Sequence, residues 1–136
     1  MEFHYVDLRA FCYATERLDR VRRALELFLP DDVDVDVEST EGHYGDGIEV
    51  LSVRLERADQ LRYVFDRVLD ADVDLDEVEE RVDDDCVFHL RLDKQRAYDG
   101  EPSLGRGIEL RAKAEAYPAR RENAVEAVLR SLSGSS

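Results

Sequence analysis

The sequence predicts an α+β fold with two layers: a mostly antiparallel sheet of about five strands, and helices that cover one of its faces. Three observations support this. Several short segments alternate apolar and polar residues, as half-buried strands do, and other segments repeat apolar residues every three or four positions, as amphipathic helices do. Short gaps join most neighbouring segments, which favours antiparallel pairing. The predicted order is β-α-β-β-α-α-β-β-α.

The strand predictions rest on alternation with a period of two. Val6, Leu8, Ala10 and Cys12 occupy one phase of the first segment, and polar or aromatic residues occupy the other. The later strands repeat the pattern, and Pro118 ends the last of them. The predicted strands are Phe3 to Tyr13, Val33 to Val37, Ile48 to Glu56, Cys86 to Leu92, and Ile108 to Tyr117.

The helix predictions rest on apolar stripes and on end signals. Thr15 is predicted to cap the first helix, whose stripe from Leu18 to Phe28 stops before Pro30. A second stripe runs from Leu61 to Leu69, and a short third helix over Leu75, Val78 and Val82 follows the acidic connection 70–76. The last helix is predicted from Arg120 to Leu132. We expect one domain over residues 1–132 and a disordered tail over 133–136.

The charge balance indicates adaptation to salt. The chain has 136 residues, with 33 Asp and Glu against 19 Lys and Arg, and Lys94 and Lys113 are its only lysines. Acidic surfaces that stay hydrated, with Arg in place of Lys, are typical of proteins in molar salt; an acidic protein from ordinary salt is the alternative. A net charge of -14 argues against a nucleic-acid partner, because an acidic protein repels phosphates. In molar salt, however, the Debye length is only about 3 Å, so this repulsion is largely screened.

Several classes of protein are disfavoured. Met1 to Tyr5 show no basic segment followed by an apolar stretch and a cleavage site, so we expect no secretory signal. No apolar run approaches membrane-spanning length, so we also expect a cytoplasmic protein without a membrane partner. Cys12 and Cys86 lie in apolar segments and are expected to be buried free thiols. Two acidic runs lack the glycine and glutamate that a calcium loop requires, and the spacing for zinc, phosphate loops or nucleophile elbows is also absent. We therefore expect no metal, no cofactor and no catalysis.

Two polar segments combine residue types that suit RNA. His43 and Tyr44 stand at the tip of a Gly-rich turn, Glu41 to Gly47, although a plain turn between strands explains that segment better. The second segment, Arg91 to Glu101, leaves a buried strand and then continues as a predicted polar loop; a solvated hairpin loop with Asp–Arg pairs is its alternative. Its candidate ligands for phosphate, base edges and stacked bases are Arg91, Lys94, Gln95, Arg96 and Tyr98.

A third candidate surface is the sheet face that the helices leave open. Five cationic residues occupy the non-core phase of four predicted strands, so a sheet covered on one face would display them together. They are Arg9, Arg54, Arg91, Arg111 and Lys113.

Four segments in this order resemble a known family: YVDLRAFCYATE from Tyr5, EGHYGD, RLDKQRAYDGE and KAEAYPARRENA. They resemble the archaeal RNA-binding domain family that gene context links to the exosome, and the resemblance spans nearly the whole chain. It implies a fold similar to that of the large-subunit ribosomal protein that binds 5S ribosomal RNA. It also implies a role in RNA binding or processing. Together with the charge pattern, it implies a haloarchaeal member.

The leading hypothesis is therefore a non-enzymatic protein that binds structured RNA, with ribosomal and transfer RNA as candidates. The alternative is a protein-interaction module, either a homodimer or a subunit of a complex such as the exosome, with the open sheet face as its interface. An enzyme acting on nucleotides would require carboxylates to converge with His43 in one pocket.

Overall fold

The computed structural model describes residues 3–41 and 47–132. His43 and Tyr44, together with the predicted tail 133–136, lie outside the described residues. No helix within the described ranges is both long and apolar enough to cross a membrane.

The described residues form one antiparallel sheet with helices packed against it, which confirms the predicted α+β class. The strand order across the sheet is β2-β3-β1-β5-β4, so the first strand of the chain lies at the centre. The strands are β1 (Phe3–Cys12), β2 (Asp36–Glu41), β3 (Gly47–Leu55), β4 (Val87–Asp93) and β5 (Gly107–Ala114). The helices are α1 (Leu18–Glu26), α2 (Ala58–Leu69), α3 (Lys94–Tyr98) and α4 (Arg121–Leu132), with a 3₁₀ helix at Leu75–Arg81.

The core lies between the helices and one face of the sheet. Leu8 of β1 pairs with Val53 of β3 on one side and with Leu110 of β5 on the other, and Leu110 also pairs with Leu90 of β4. All four side chains are buried. The apolar stripes of α1, α2 and α4 cover this row, and burying each such side chain contributes roughly 1.5–3 kcal/mol. The opposite phase of each strand is thereby left on the uncovered face.

Several local predictions differ from the structure. α1 begins at Leu18 rather than directly after Thr15, and its first turn has no side-chain cap. The second strand was predicted too early along the chain, because its sheet pairing starts only at Asp36. The fourth strand starts at Val87, since Cys86 has a left-handed backbone with φ of 64°.

The predicted polar loop within Arg91 to Glu101 is wrong over Lys94–Tyr98, where the structure forms the short helix α3. Asp93 explains the difference: its carboxylate accepts a hydrogen bond from the backbone N–H of Arg96 at 2.9 Å and caps the new helix. The Lys94–Tyr98 segment is therefore held on a fixed helical turn.

Gly107 at the start of β5 has no room for a side chain. Its φ is 107°, and an added Cβ would lie 2.6 Å from the Cβ of Lys94. Gly100 has a similar φ of 87° with open space around it, and Gly47 has open space without a left-handed backbone. Comparing alanine substitutions at these three positions therefore distinguishes the cost of a left-handed backbone from the cost of steric overlap.

We expect Gly107→Ala to lower the free energy of unfolding by about 2–4 kcal/mol, because it combines a left-handed alanine with overlap against Lys94. Gly100→Ala should cost about 1–2 kcal/mol from the backbone alone, and Gly47→Ala should lie within about 0.5 kcal/mol of the parent. Urea unfolding at constant salt measures all three. Equal losses for Gly107→Ala and Gly100→Ala would contradict the packing against Lys94.

Candidate functional site

The uncovered face of the sheet carries two central cross-strand rows of polar side chains. Because neighbouring strands pair residue by residue, each row runs directly across β3, β1, β5 and β4. The first row is Arg54, Asp7, Arg111 and His89, and the second is Ser52, Arg9, Glu109 and Arg91. The structure thus brings four of the five predicted cations into two adjacent rows. Lys113 lies next to them on β5, opposite Tyr5.

The arginines on the β1–β3 side of this face are already paired. Arg54 donates two hydrogen bonds to the carboxylate of Asp7, at 2.7 and 2.8 Å, and this pairing is the main reason that its pKa lies above the ordinary value. Its guanidinium also lies 4.0 Å from the ring centroid of Tyr5. Arg9 donates to Glu109 at 3.1 Å, and its guanidinium lies 5.4 Å from the ring centroid of Phe11. The positive charge of each arginine is therefore already neutralised by a carboxylate on the same face.

The β4–β5 side of the face differs, because the two carboxylates of these rows are already paired with the arginines of β1 and β3. Arg111 lies across from Asp7, and Arg91 lies across from Glu109, but those two carboxylates already bind Arg54 and Arg9. Neither the side chain of Arg91 nor that of Arg111 forms a hydrogen bond or an ion pair with residues 3–41 or 47–132. Four arginines thus share two carboxylates in these rows, and the surplus charge lies on β4 and β5.

His89 and Lys113 complete this half of the face. The ring Nε2 of His89 lies 2.8 Å from the carboxylate of Asp83, and the ammonium of Lys113 donates to the backbone carbonyl of Asp85. Burial raises the pKa of Asp83, but the hydrogen bonds from His89 and from the backbone N–H groups of Val87 and Asp85 outweigh it, so the net pKa is lowered. Asp83 is therefore ionised at neutral pH and orients His89.

Shallow hollows on this face offer places for a ligand. One has a volume of 330 Å³ and is lined by Arg81, His89, Arg91, Glu109 and Arg111, among others. A second, of 290 Å³, lies over β1 and β3 between Arg9 and Arg54. Both are open depressions in a flat surface, a shape that suits an extended polymer better than an enclosed small molecule.

The predicted ligands on α3 lie apart from the sheet face. Lys94 is buried, and its ammonium donates to the carbonyl of Phe11 at 2.8 Å and to the carboxylate of Glu16 at 2.7 Å. The side chain that the sequence suggested for phosphate is therefore occupied within the fold. Arg96 pairs with Glu101 at 3.4 Å on the surface, and Gln95 is exposed.

Tyr98 is the other predicted residue of this helix, and sequence reasoning missed its partners. Its half-buried ring packs against α1, where the guanidinium groups of Arg20 and Arg23 lie 5.5 and 5.2 Å from its centroid. The three-residue spacing of Arg17, Arg20 and Arg23 was the available signal, since it places these arginines on one side of a helix.

The described residues offer little chemistry for an enzyme. No group of three or more His, Cys, Asp or Glu side chains within them is placed to hold a metal ion. Burial, and then the nearby carboxylates of Glu16 and Glu49, raise the pKa of the Cys12 thiol, which disfavours the reactive thiolate. Cys86 is also a buried free thiol.

Comparison with known proteins gives a consistent result. A family model described as RNA binding matches residues 5–114. An RNA-binding protein of Pyrococcus abyssi is 32% identical to this chain, over 98% of the chain and 96% of the relative.

Solved structures agree in fold. A crystal structure of a protein from Archaeoglobus fulgidus superposes with a TM-score of 0.84 at 30% identity, covering 96% of this chain and 99% of that one. A DUF54 protein from Methanothermobacter thermautotrophicus superposes with a TM-score of 0.82 at 38% identity, covering 97% and 99%. The relatives thus share the whole architecture described above.

We expect Lys94→Met to lower the free energy of unfolding by about 2–3 kcal/mol, because the Glu16 carboxylate and the Phe11 carbonyl both lose the ammonium that donates to them. Adding Glu16→Gln to that variant should recover part of the loss. Arg96→Met is the matched control on the same helix, and its exposed pair should cost under about 1 kcal/mol. Urea unfolding of the four proteins measures this, and equal losses for Lys94→Met and Arg96→Met would contradict a structural role for Lys94.

Proposed function

This chain belongs to the RNA-binding family, and from that membership we propose that it binds RNA, without catalysing a reaction, through the β4–β5 half of its open sheet face. The name of the Pyrococcus abyssi relative, an RNA-binding protein, supports the same role. The contact surface is distinguished by its positive charge, and binding requires no catalytic residue on it.

The surplus of arginine over carboxylate is the observation that carries this proposal. Arg91 and Arg111 are diagonal neighbours on adjacent strands, where such residues lie about 7–8 Å apart. Both present guanidinium donors that no described side chain uses. A guanidinium fork matches the oxygens of a phosphate and the acceptor edge of guanine. Lys113 and His89 add a point charge and a ring beside them.

The paired half of the face supports the contact in another way. The guanidinium groups of Arg54 and Arg9 lie over the rings of Tyr5 and Phe11, at 4.0 and 5.4 Å from the ring centroids. An unpaired base can stack on the plane of a guanidinium as it does on an aromatic ring. We infer that the target is structured RNA with accessible loops or bulges, with ribosomal and transfer RNA as the candidates.

The net charge of -14 is compatible with this role where salt is concentrated. At molar ionic strength the Debye length is about 3 Å, so distant carboxylates contribute little and contacts made directly at the rows decide affinity. We therefore propose a cytoplasmic protein of a salt-adapted archaeon. The sequence resemblance supports a role in exosome-linked RNA processing and a likeness to the 5S-RNA-binding ribosomal protein.

A protein-interaction role is the second candidate, and the edge strand β2 favours it. Among the described strands β2 pairs only with β3, and Val37 on it is exposed. An extended basic segment of a partner would pair with this free edge and meet its acidic side chains. A partner that co-purifies without RNA would support this candidate.

We expect Arg91→Ala/Arg111→Ala to weaken binding of a fluorescein-labelled RNA stem–loop by at least about tenfold, because two charged hydrogen-bonding groups are lost. Fluorescence anisotropy in molar potassium chloride measures the dissociation constant.

Arg62→Ala/Arg120→Ala is the matched control, because it changes the net charge equally at two exposed arginines on the helical layer. This control should retain the parent affinity. Equal weakening in both double variants would indicate a general charge effect, and unchanged binding in Arg91→Ala/Arg111→Ala would remove the β4–β5 surface from the proposal.

A further inference from the structure

The outer surface of α1 and α3 is a second place where cations gather in this acidic chain. Residues 17–26 and 94–98 contain five exposed arginines against two Asp and Glu, and their one lysine, Lys94, is buried and paired with Glu16. The two helices pack against each other, so these segments form one surface, which we call the α1–α3 face. The net charge of these two segments is positive, whereas that of the whole chain is -14.

Tyr98 fixes the orientation of two of these cations. Arg20 and Arg23 both lie against its ring, at 5.5 and 5.2 Å, and neither forms an ion pair with a described carboxylate. A guanidinium that stacks on a ring keeps the N–H donors in its own plane available to a ligand. Because the ring already restricts both side chains, binding costs less conformational entropy than it would for free arginines.

A hollow of 450 Å³ adjoins this pair, lined by Glu16, Arg17, Arg20, Gln95, Tyr98 and Asp99, among others. Lys94 also lines it, but Glu16 and the Phe11 carbonyl already occupy its ammonium. The donors free to meet a ligand are therefore those of Arg20 and Gln95, with Arg23 beside them. None of the residues lining this hollow lines the hollows of the sheet face.

We propose that the α1–α3 face is a second RNA contact, which holds the sugar–phosphate backbone of a segment that extends beyond the sheet face. This inference rests on the proposed function. Arginine forks held by a ring match phosphate oxygens, and a backbone contact carries no sequence preference. The β4–β5 surface then engages the structured part of the RNA, and the α1–α3 face adds affinity for its flanking strand.

The test compares two labelled RNAs, a stem–loop and the same stem–loop with a single-stranded 3′ extension of mixed sequence. Arg20→Ala/Arg23→Ala should weaken binding of the extended RNA by roughly tenfold, and should reduce the slope of log affinity against log salt by about 1.5, as expected for two lost phosphate contacts. The trimmed stem–loop should bind the variant and the parent equally. The ring itself is tested by two further variants. Tyr98→Phe should retain the parent affinity for the extended RNA, because it keeps a ring beneath Arg20 and Arg23. Tyr98→Leu, which removes the ring, should weaken that affinity.

The controls separate this contact from the first one. Arg62→Ala/Arg120→Ala, with the same change in charge, should leave both RNAs unaffected; equal weakening there overturns the proposal. Unchanged binding in Arg20→Ala/Arg23→Ala, with weakening in Arg91→Ala/Arg111→Ala, overturns the second contact and leaves the proposed function intact. A parent protein that binds neither RNA overturns both. A polyglutamate peptide that binds the α1–α3 face as tightly as the extended RNA overturns the assignment to nucleic acid.

Discussion

The ammonium of Lys94 joins three parts of the fold, and both candidate surfaces depend on their relative placement. Through Phe11 it holds the end of the central strand, and through Glu16 it holds the connection that leads into α1. Lys94 itself begins α3, and its stem fills the space beside Gly107 at the start of β5. A buried ammonium is costly unless it is paired, and here a carboxylate and a carbonyl satisfy it together. One of the two lysines of the chain thus has a structural task.

The distribution of charge explains how an acidic protein can present surfaces to a polyanion. Asp and Glu outnumber Lys and Arg in the composition, yet the two central rows of the open face hold four arginines against two carboxylates. The segments of the α1–α3 face hold five exposed arginines against two carboxylates. In both places the uncompensated groups are arginines beside aromatic or histidine rings. Ring stacking and the paired hydrogen bonds of a guanidinium act over short distances, so salt weakens them far less than it weakens long-range electrostatic attraction. Molar salt would therefore leave these local features as the basis of recognition.

Alternation with a period of two was sufficient to predict the sheet and the cationic positions on its open face. Leu8 and Arg9 lie on opposite faces of the sheet because consecutive residues of a strand point in opposite directions. The same rule separates core from open-face residues in the other strands. The neutralisation of Arg9 and Arg54 was not predictable, because it depends on which carboxylate lies across from each arginine. That register is a property of strand pairing and not of any single strand.

The remaining errors arise where a tertiary contact overrides a local pattern. Lys94 stands in a polar stretch, and lysine is rarely buried, so exposure was the reasonable expectation. The cap that turns this stretch into a helix is Asp93, a residue type that favours the N-cap position. The contact of Arg20 and Arg23 with Tyr98 joins segments that are far apart along the chain, and only the packing of α1 on α3 reveals it.

Crosslinking in living cells tests the central claim most directly, when the tagged protein is purified under denaturing conditions and its crosslinked peptides are identified by mass spectrometry. The account predicts nucleotide adducts on peptides from β4 and β5 around His89, Arg91 and Arg111, and recovered RNA that disappears with Arg91→Ala/Arg111→Ala. Adducts confined to α2 and α4, or no RNA above background, would contradict it.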